Sequence, residues 1–351
     1  MRPLSGQPLH RILVRATNWV GDAVMSLPAL RAVRARFPEA EIAVLARPWV
    51  ADIYARESFA NRVIPYTPAS GAGDWAAKWA LARSLKGDGF DLALLMPNSF
   101  ESAALMFAAG IPRRAGYSRD ARGLLLTHGV SVPLKGSIPR HESYYYLELV
   151  RRLGLIQDLP QDVVIRLERV GEAATAGTDL LSRFGITPPV IGLSPGAAYG
   201  GAKRWLPERF AEAAVRVASE VGASVAVFGT SQEADVCGKV AADIAARGIG
   251  ARSFASQTSL RQFIEMAAAC RAFLTNDSGS MHIASALGIP TVTVFGATDH
   301  IATGPTGDRA RIVREPVDCS PCLLRECPID HRCMTRVTTD QVALTTLELL
   351  K

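Results

Sequence analysis

The stretch ATNWVGDAVMSLPALRAV, residues 16–33, closely follows a short apolar run, Ile12–Leu13–Val14. The run is short enough for a buried strand, and the residues after it keep a helical character through about Arg36, stopping at Phe37–Pro38. The stretch therefore predicts a strand that turns into a helix. Gly21 permits a tight turn and the close approach of another group. Asp22 falls in the first turn of the helix. The helix dipole alone favours an acid there. The same position, just beyond a strand, also suits a base aimed at a ligand.

Working outward, the pattern repeats. Glu41–Leu45 and Phe90–Met96 read as strands, and residues 75–86 and Phe100–Ala109 read as helices, the second stopping at Gly110-Ile111-Pro112. The rhythm restarts after residue 185. Strands are expected at Pro189–Ser194, Ser224–Phe228, Ala272–Thr275 and Thr291–Phe295. Helices are expected at Pro207–Val221, Leu260–Ala269 and Met281–Leu287, with a C-terminal one over Thr338–Lys351. Near-continuous apolar strands alternating with helices imply parallel sheets covered on both faces. The fold class is α/β, with two doubly wound Rossmann-like domains facing a cleft. The junction lies between about 160 and 178, giving domains of 1–168 and 169–351. Open parallel sheets bind ligands beyond the carboxyl ends of their strands, so those ends carry the search for function.

Bulk properties narrow the classes. A chain of 351 residues with 48% hydrophobic content has material for two cores and is not a disordered protein. The net charge of +6 fits an acidic partner, such as a phosphorylated ligand or an anionic lipid. No zinc-finger spacing and no aromatic-rich basic motif of an RNA binder is visible, so nucleic acid is not expected. The N-terminal MRPLSGQPLHRILVRAT lacks the apolar core of a signal peptide. No window approaches the roughly 18 apolar residues of a membrane-spanning helix. The expectation is a cytoplasmic protein, free to visit a membrane surface peripherally.

Three further strand ends stand out. Ser194-Pro-Gly-Ala-Ala-Tyr-Gly-Gly-Ala-Lys203-Arg204-Trp205 places three glycines and two adjacent cations in one loop. Such a loop exposes backbone N–H groups to an anion, and a lysine adds a point charge. It is neither a Walker A sequence nor GxGxxG. In Asn276-Asp277-Ser278-Gly279-Ser280-Met281-His282 a strand ends and a small-residue turn opens a helix. Its unpaired N–H groups, its hydroxyls and His282 suit a diphosphate. Glu233, a few residues past Phe228, is placed either to hold ribose hydroxyls or simply as a helix-start acid. In the first domain a cationic stretch, Arg113, Arg114, Arg119, Arg122, Lys135, Arg140 and His141, is a candidate to receive a phosphate- or carboxylate-bearing acceptor; the alternative is a solvated face.

Six cysteines are present. Cys237 and Cys270 sit in helical stretches as small buried hydrophobes. Cys319, Cys322, Cys327 and Cys333, with His331, fall within 15 residues. In a reducing compartment such a cluster reads as metal binding before disulfides. Four thiolates, or three and the histidine, would make a structural zinc site with no open position. The gaps of two, four and five residues are not those of a standard ribbon, and two disulfides or free thiols remain as alternatives.

Taken together, TNWVGDAVMSLPALRAVRARFP, PNSFESAALMFAAGIPRRAGY, SPGAAYGGAKRW and TNDSGSMHIASALGIPTVTVFGATD resemble the ADP-heptose:lipopolysaccharide heptosyltransferases of glycosyltransferase family nine. The likeness runs over nearly the whole chain. The second and third stretches look most like heptosyltransferase II, the branch that adds the second heptose of the inner core. The resemblance implies a glycosyltransferase-B fold with the acceptor on the N-terminal domain and the donor on the C-terminal one. It implies inverting transfer without a metal cofactor. It puts the catalytic aspartate on Asp22 and the phosphate-binding lysine on Lys203. The family's D-[TS]-G-x-x-H segment falls on Asp277, Ser278, Gly279 and His282. Arg204 and, more loosely, Glu233 complete the donor set. Thr17, Asn18, Gly21, Asn98, Arg113, Arg114, Arg119 and Arg122 form the expected acceptor set.

The implied donor is ADP-L-glycero-D-manno-heptose, and the implied acceptor is heptosyl-Kdo2-lipid A at the cytoplasmic face of the inner membrane. Heptosyltransferases I and III, with other acceptors, share the pattern. A nucleotide-sugar-binding protein without turnover is the reading from another class, but it has no need of a base at Asp22. A nicotinamide dehydrogenase is disfavoured because its glycine fingerprint is missing.

Overall fold

The computed structural model describes residue 4 and residues 8–67 and 72–351. The first residues, read above for a leader, largely lie outside the described ones. The chain divides into two compact units, Met1–Val163 and Val164–Lys351. The expected boundary stood five residues later. Two contacts explain the difference: Ile165 N donates to Thr306 Oγ1 at 3.0 Å, and Leu167 N donates to Ala286 O at 2.8 Å, so residues 164–168 are tied into the second unit.

In the first unit the elements run β1 (Arg11–Arg15), α1 (Val20–Arg36), β2 (Glu41–Ala46), α2 (Pro48–Tyr54), β3 (Arg62–Pro65), α3 (Ala72–Gly87), β4 (Leu92–Leu95), α4 (Phe100–Ala108), β5 (Arg113–Tyr117), β6 (His128–Val130) and α5 (Ser143–Arg152). The six strands form one sheet in the order β3-β2-β1-β4-β5-β6. All its pairings are parallel. The interior strands β1, β2 and β4 are buried almost throughout, as their apolar runs require. Leu13, Ala43, Leu45, Ala93 and Leu95 meet Leu85, Met106 and Ile111 in the core.

In the second unit the elements are α6 (Val170–Arg183), β7 (Val190–Ser194), α7 (Pro207–Val221), β8 (Ser224–Val227), α8 (Ala234–Ala246), β9 (Ala251–Ser253), α9 (Leu260–Ala268), β10 (Ala272–Asn276), α10 (Gly279–Ala286), β11 (Thr291–Val294), α11 (His300–Thr303), β12 (Ala310–Val313), α12 (Arg332–Thr335) and α13 (Thr339–Leu350). The sheet order is β12-β11-β10-β7-β8-β9, again parallel. Its core gathers Ile191, Leu193, Val225, Val227, Leu274 and Val292 against Trp205, Phe210 and Val217. Helix α6 begins inside the range expected for the junction and runs past it to Arg183. Its Gly177 lets it lie directly on α9, since a Cβ there would stand 1.8 Å from Glu265 O.

Read in chain order within each unit, both sheets follow 3-2-1-4-5-6. In this topology the order reverses between the first and fourth strands, and a crevice opens beyond their carboxyl ends. The reversal lies between β1 and β4 in the first unit and between β7 and β10 in the second. No helix among the described residues is long and apolar enough to cross a membrane.

Candidate functional site

The β1/β4 crevice is built by the opening stretch. Ala16 N donates to Leu45 O and holds the end of β1 in the sheet. Trp19 in extended conformation caps α1, which places Asp22 in its first turn. Gly21 is inside that turn rather than in the tight turn expected from sequence. Thr17 is buried, with Oγ1 3.3 Å from the Tyr54 hydroxyl. Asn18 is held from two sides: its Oδ1 accepts from Arg15 at 2.9 Å and its carbonyl accepts from Trp49 Nε1 at 2.8 Å.

Asp22 does not stand alone. Burial raises its carboxyl above the ordinary range, and a hydrogen bond from the Tyr146 hydroxyl pulls the other way. Tyr146 is itself buried and pushed well up, by burial first and then by the charge of Asp22. Glu142 is raised by burial and by the same neighbouring charge. Tyr54 is raised by burial, with Ser26 and Thr17 as hydrogen-bond partners. A carboxylate that resists ionisation is better suited to take up a proton than a solvated one. Tyr146 and Glu142 were missed in sequence because they sit on α5 and at its N-cap, more than a hundred residues from Asp22.

The cationic stretch divides three ways. Arg113 and Arg114 open β5 and so stand at the amino edge of the sheet, opposite the Asp22 edge. The Arg114 guanidinium is spent on the Leu125 and Ile111 carbonyls. Neither is positioned as an acceptor ligand of the β1/β4 crevice. Arg122 is not on a solvated face either. It is fully buried, donates to the carbonyls of Tyr117 and Pro97 and to Asn98 Oδ1, and burial brings it down to about 10. Its role is to hold the loop after β4. Asn98, the other expected acceptor residue in that loop, is also fixed by a 2.8 Å bond from Nδ2 to the Tyr145 hydroxyl. Arg119 follows the carboxyl end of β5 and is exposed.

The β7/β10 crevice holds the second set. Lys203 Nζ lies 2.6 Å from Asp277 Oδ2, an ion pair with side chains 12% and 4% exposed. Thr298 Oγ1 donates to the same carboxylate oxygen. Asn276 stitches the two loops together: its Oδ1 accepts from Trp205 N at 2.9 Å and its Nδ2 donates to Pro195 O at 2.8 Å. Ser278 is the N-cap of α10 and makes no side-chain cap bond. Its hydroxyl instead pairs with Ser280 Oγ at 2.7 Å. The first N–H groups of α10 have no partner within the helix, the arrangement that receives an anion. His282 lies in the first turn of α10 and is buried. The exposed Arg204 donates to Ala197 O in its own loop. Glu233 is buried, and one carboxylate oxygen accepts from Thr230 N and Oγ1 at 2.8 and 2.9 Å, the bond pattern of a capping box.

The cysteine-rich segment is a strap over the Lys203 loop. Ala202 N donates to Arg325 O and Gly201 N to Glu326 Oε1, both at 2.9 Å. The Tyr199 hydroxyl donates to Leu323 O at 2.8 Å, and His331 Nε2 donates to Ala202 O at 3.1 Å. Gly200 has φ +156°, and a Cβ there would stand 2.3 Å from Arg325 O. The metal expectation is not met. Among the described residues no group of three or more His, Cys, Asp or Glu side chains is arranged to hold a metal ion. Cys319, Cys322, Cys327 and Cys333 are free thiols; Cys333 is buried against Gly296 while Cys319 and Cys322 are exposed. Cys237 and Cys270 are buried and pushed up to about 12, which makes them inert packing groups.

The model of glycosyltransferase family 9 (heptosyltransferase) matches residues 78–332. Lipopolysaccharide heptosyltransferase 2 of Escherichia coli K12 is 35% identical over 308 residues, covering 87% of this chain and 88% of its own. The enzyme of the same name from Salmonella typhimurium is 34% identical over 312 residues, with 87% and 88% covered. The solved structure of E. coli ADP-heptose lipopolysaccharide heptosyltransferase II superposes with a TM-score of 0.81 at 30% identity, covering 97% of this chain and 98% of its own. The protein is therefore a glycosyltransferase with the two doubly wound units of the glycosyltransferase-B type. Within that class it belongs to glycosyltransferase family 9.

Proposed function

We propose that this chain is a heptosyltransferase II, moving heptose from ADP-L-glycero-D-manno-heptose to the first heptose of heptosyl-Kdo2-lipid A. The acceptor hydroxyl gives its proton to Asp22 as its oxygen bonds to the anomeric carbon. The bond from that carbon to ADP breaks, its electron pair leaves with the phosphate oxygen, and the configuration inverts. Proton transfer is needed only as the nucleophile bonds, so a carboxylate suffices. Lys203 and the start of α10 face the charge growing on ADP. These fixed charges serve where other transferases use a divalent ion, so no metal is required.

The observation that carries the reading is the Lys203–Asp277 pair beside the open start of α10, at the reversal point of the second sheet. Asp277 and Thr298 keep the ammonium aimed there. On the first unit Thr17, Asn18, Gly21, Asn98 and Arg119 remain as acceptor-side groups around Asp22. On this reading the first unit takes the acceptor and the second the donor, with the work done at the cytoplasmic face of the inner membrane.

The experiment presents ADP-heptose and, separately, Kdo2-lipid A, its monoheptosyl form and its diheptosyl form, all in EDTA, with mass spectrometry of the products. One heptose added only to the monoheptosyl form is the expected result. Addition only to one of the others makes the chain a type I or type III enzyme. Binding of ADP-heptose without any transfer would leave a nucleotide-sugar-binding protein.

A further inference from the structure

The charge of the chain is carried by one unit. Residues 1–163 contain 20 Lys and Arg against 14 Asp and Glu, a balance of +6, whereas residues 164–351 contain 19 of each. Exposed Trp and Phe side chains divide the same way, although Tyr199 of the second unit is also exposed. Among the described residues, Trp19, Trp49, Trp75, Trp79, Phe100 and Phe107 are exposed on the first unit, and the second exposes no Trp or Phe of this kind.

Helix α3 concentrates both features. Its inner face buries Ala82 and Leu85 in the core of the first unit. A helix of this sort normally turns a polar face to water. Here Trp75 and Trp79, one turn apart, are 80% and 55% exposed. Ala76 and Ala80 beside them are also exposed. The row continues into Arg83, whose guanidinium carbon lies 5.8 Å from the Trp79 ring centre, and Lys86 is exposed in the last turn. Lys78 is neutralised by Asp74 at 2.6 Å and Glu101 at 3.1 Å, so the free cations sit at the C-terminal end of the row. Among the described residues, Trp75 and Trp79 stay exposed, with Lys78 and Arg83 of the same helix over their rings.

We propose that this outer face of α3 docks on an anionic lipid surface, with Trp75 and Trp79 in the interfacial layer and Arg83 and Lys86 at the headgroups. The proposal rests on the reading that the acceptor is lipid-anchored. Indole rings favour the membrane–water boundary, and a Lys/Arg-bearing helix with Trp on its other positions lies in that plane. The +6 balance on the same unit complements anionic headgroups and adds attraction within a Debye length. A protein partner would be expected to present a matching acidic patch around an apolar seat. The surplus spread over a whole unit fits a planar anionic surface better.

The test is co-sedimentation of the full chain with sucrose-loaded vesicles, of phosphatidylcholine alone or mixed with phosphatidylglycerol, with neither donor nor acceptor present. Three proteins are compared: wild type, the double variant Trp75→Ser/Trp79→Ser, and Leu344→Ser, which alters an exposed apolar residue of the other unit. Wild type and Leu344→Ser should bind the anionic vesicles, less at high salt. The double variant should lose roughly tenfold or more in affinity, since each ring withdraws a large apolar side chain from water. Because both rings are exposed, the variant keeps its fold, which circular dichroism checks. Equal binding by the double variant and wild type overturns the proposal. So does a loss of self-association on sedimentation with vesicle binding unchanged, which would make the face an interface between copies. Heptose transfer to detergent-dispersed acceptor by the same proteins reads the functional assignment separately. Wild type that fails there but sediments with anionic vesicles contradicts the transfer reading and upholds the docking face.

Discussion

Lys203 and Asp277 meet at 2.6 Å although 74 residues apart, one in the loop after β7 and the other just past the end of β10. The pair bridges the reversal point of the second sheet and keeps a cation at the place where that topology receives ligands. Lys203→Ala should lower kcat/KM by about a hundredfold or more, the scale of losing one preformed charge partner of a leaving group. It should also weaken ADP binding. Asp277→Asn leaves the cation but frees it, so its loss should be smaller and fall mainly on KM for the donor. Calorimetric titration with ADP separates the two; unchanged ADP affinity in Lys203→Ala would remove the lysine from the donor site.

The pH dependence follows from the surroundings of Asp22. Its carboxyl is raised by burial, so the base is lost as pH falls through a value above the ordinary aspartate range. Tyr146 lowers that carboxyl through its hydrogen bond, so Tyr146→Phe should move the acid limb of the kcat/KM profile to higher pH. An acid limb left unmoved, or moved to lower pH, in Tyr146→Phe would contradict this arrangement.

Stability carries the opposite sign. A carboxyl raised in the folded state opposes folding when ionised: its contribution is most favourable below the unfolded pKa and is lost as pH rises through the folded one. Asp22→Asn should therefore raise Tm near neutral pH, with the gain fading in acid. Thermal melts at several pH values check it, and a variant less stable at neutral pH would show that the charge is stabilised rather than strained.

Arg119 and Arg122 look alike in sequence and differ in place. Arg122→Ala strips hydrogen bonds from the buried carbonyls of Tyr117 and Pro97, and should cost about 3 kcal/mol of folding stability. Arg119→Ala, on an exposed residue, should change stability by less than about 0.5 kcal/mol and act on KM for the acceptor. Urea denaturation of both variants compares them directly; equal losses would mean that Arg122 is not the buried post described.

At Gly200 a methyl group would collide with Arg325 O and meet a backbone angle that side chains avoid. Gly200→Ala should part the strap from the Lys203 loop and raise KM for the donor by roughly tenfold, with a smaller effect on acceptor KM. Donor and acceptor KM values measured side by side decide whether the strap acts on the donor loop alone.

Much of this was readable along the chain, and the reason is local. Helix α7 begins at Pro207 and ends before Gly222, whose left-handed conformation closes it, so its ends were expected where they lie. Asp22, Lys203 and Asp277 stand out in the sequence because a strand, a small-residue turn and a helix put them at a carboxyl edge whatever the rest of the chain does. What lies across the fold was hidden. Strand β5 begins with Arg113-Arg114, which disguised it as a basic surface, and so concealed that those two arginines stand on the wrong edge. Tyr146 and Glu142 reach Asp22 only because α5 packs on α1. The cysteine spacing suggested a metal, whereas the segment spends its backbone on Tyr199, Ala202 and Ala297.

The central claim is that Asp22 is the base of a heptose transfer. Its most direct test compares wild type with Asp22→Asn, incubated with ADP-heptose and heptosyl-Kdo2-lipid A in EDTA and read by mass spectrometry. One added heptose from wild type, and a rate lower by roughly a hundredfold or more in the variant, is the predicted result. Full activity in Asp22→Asn would contradict it and leave the carboxylate as a helix-start acid.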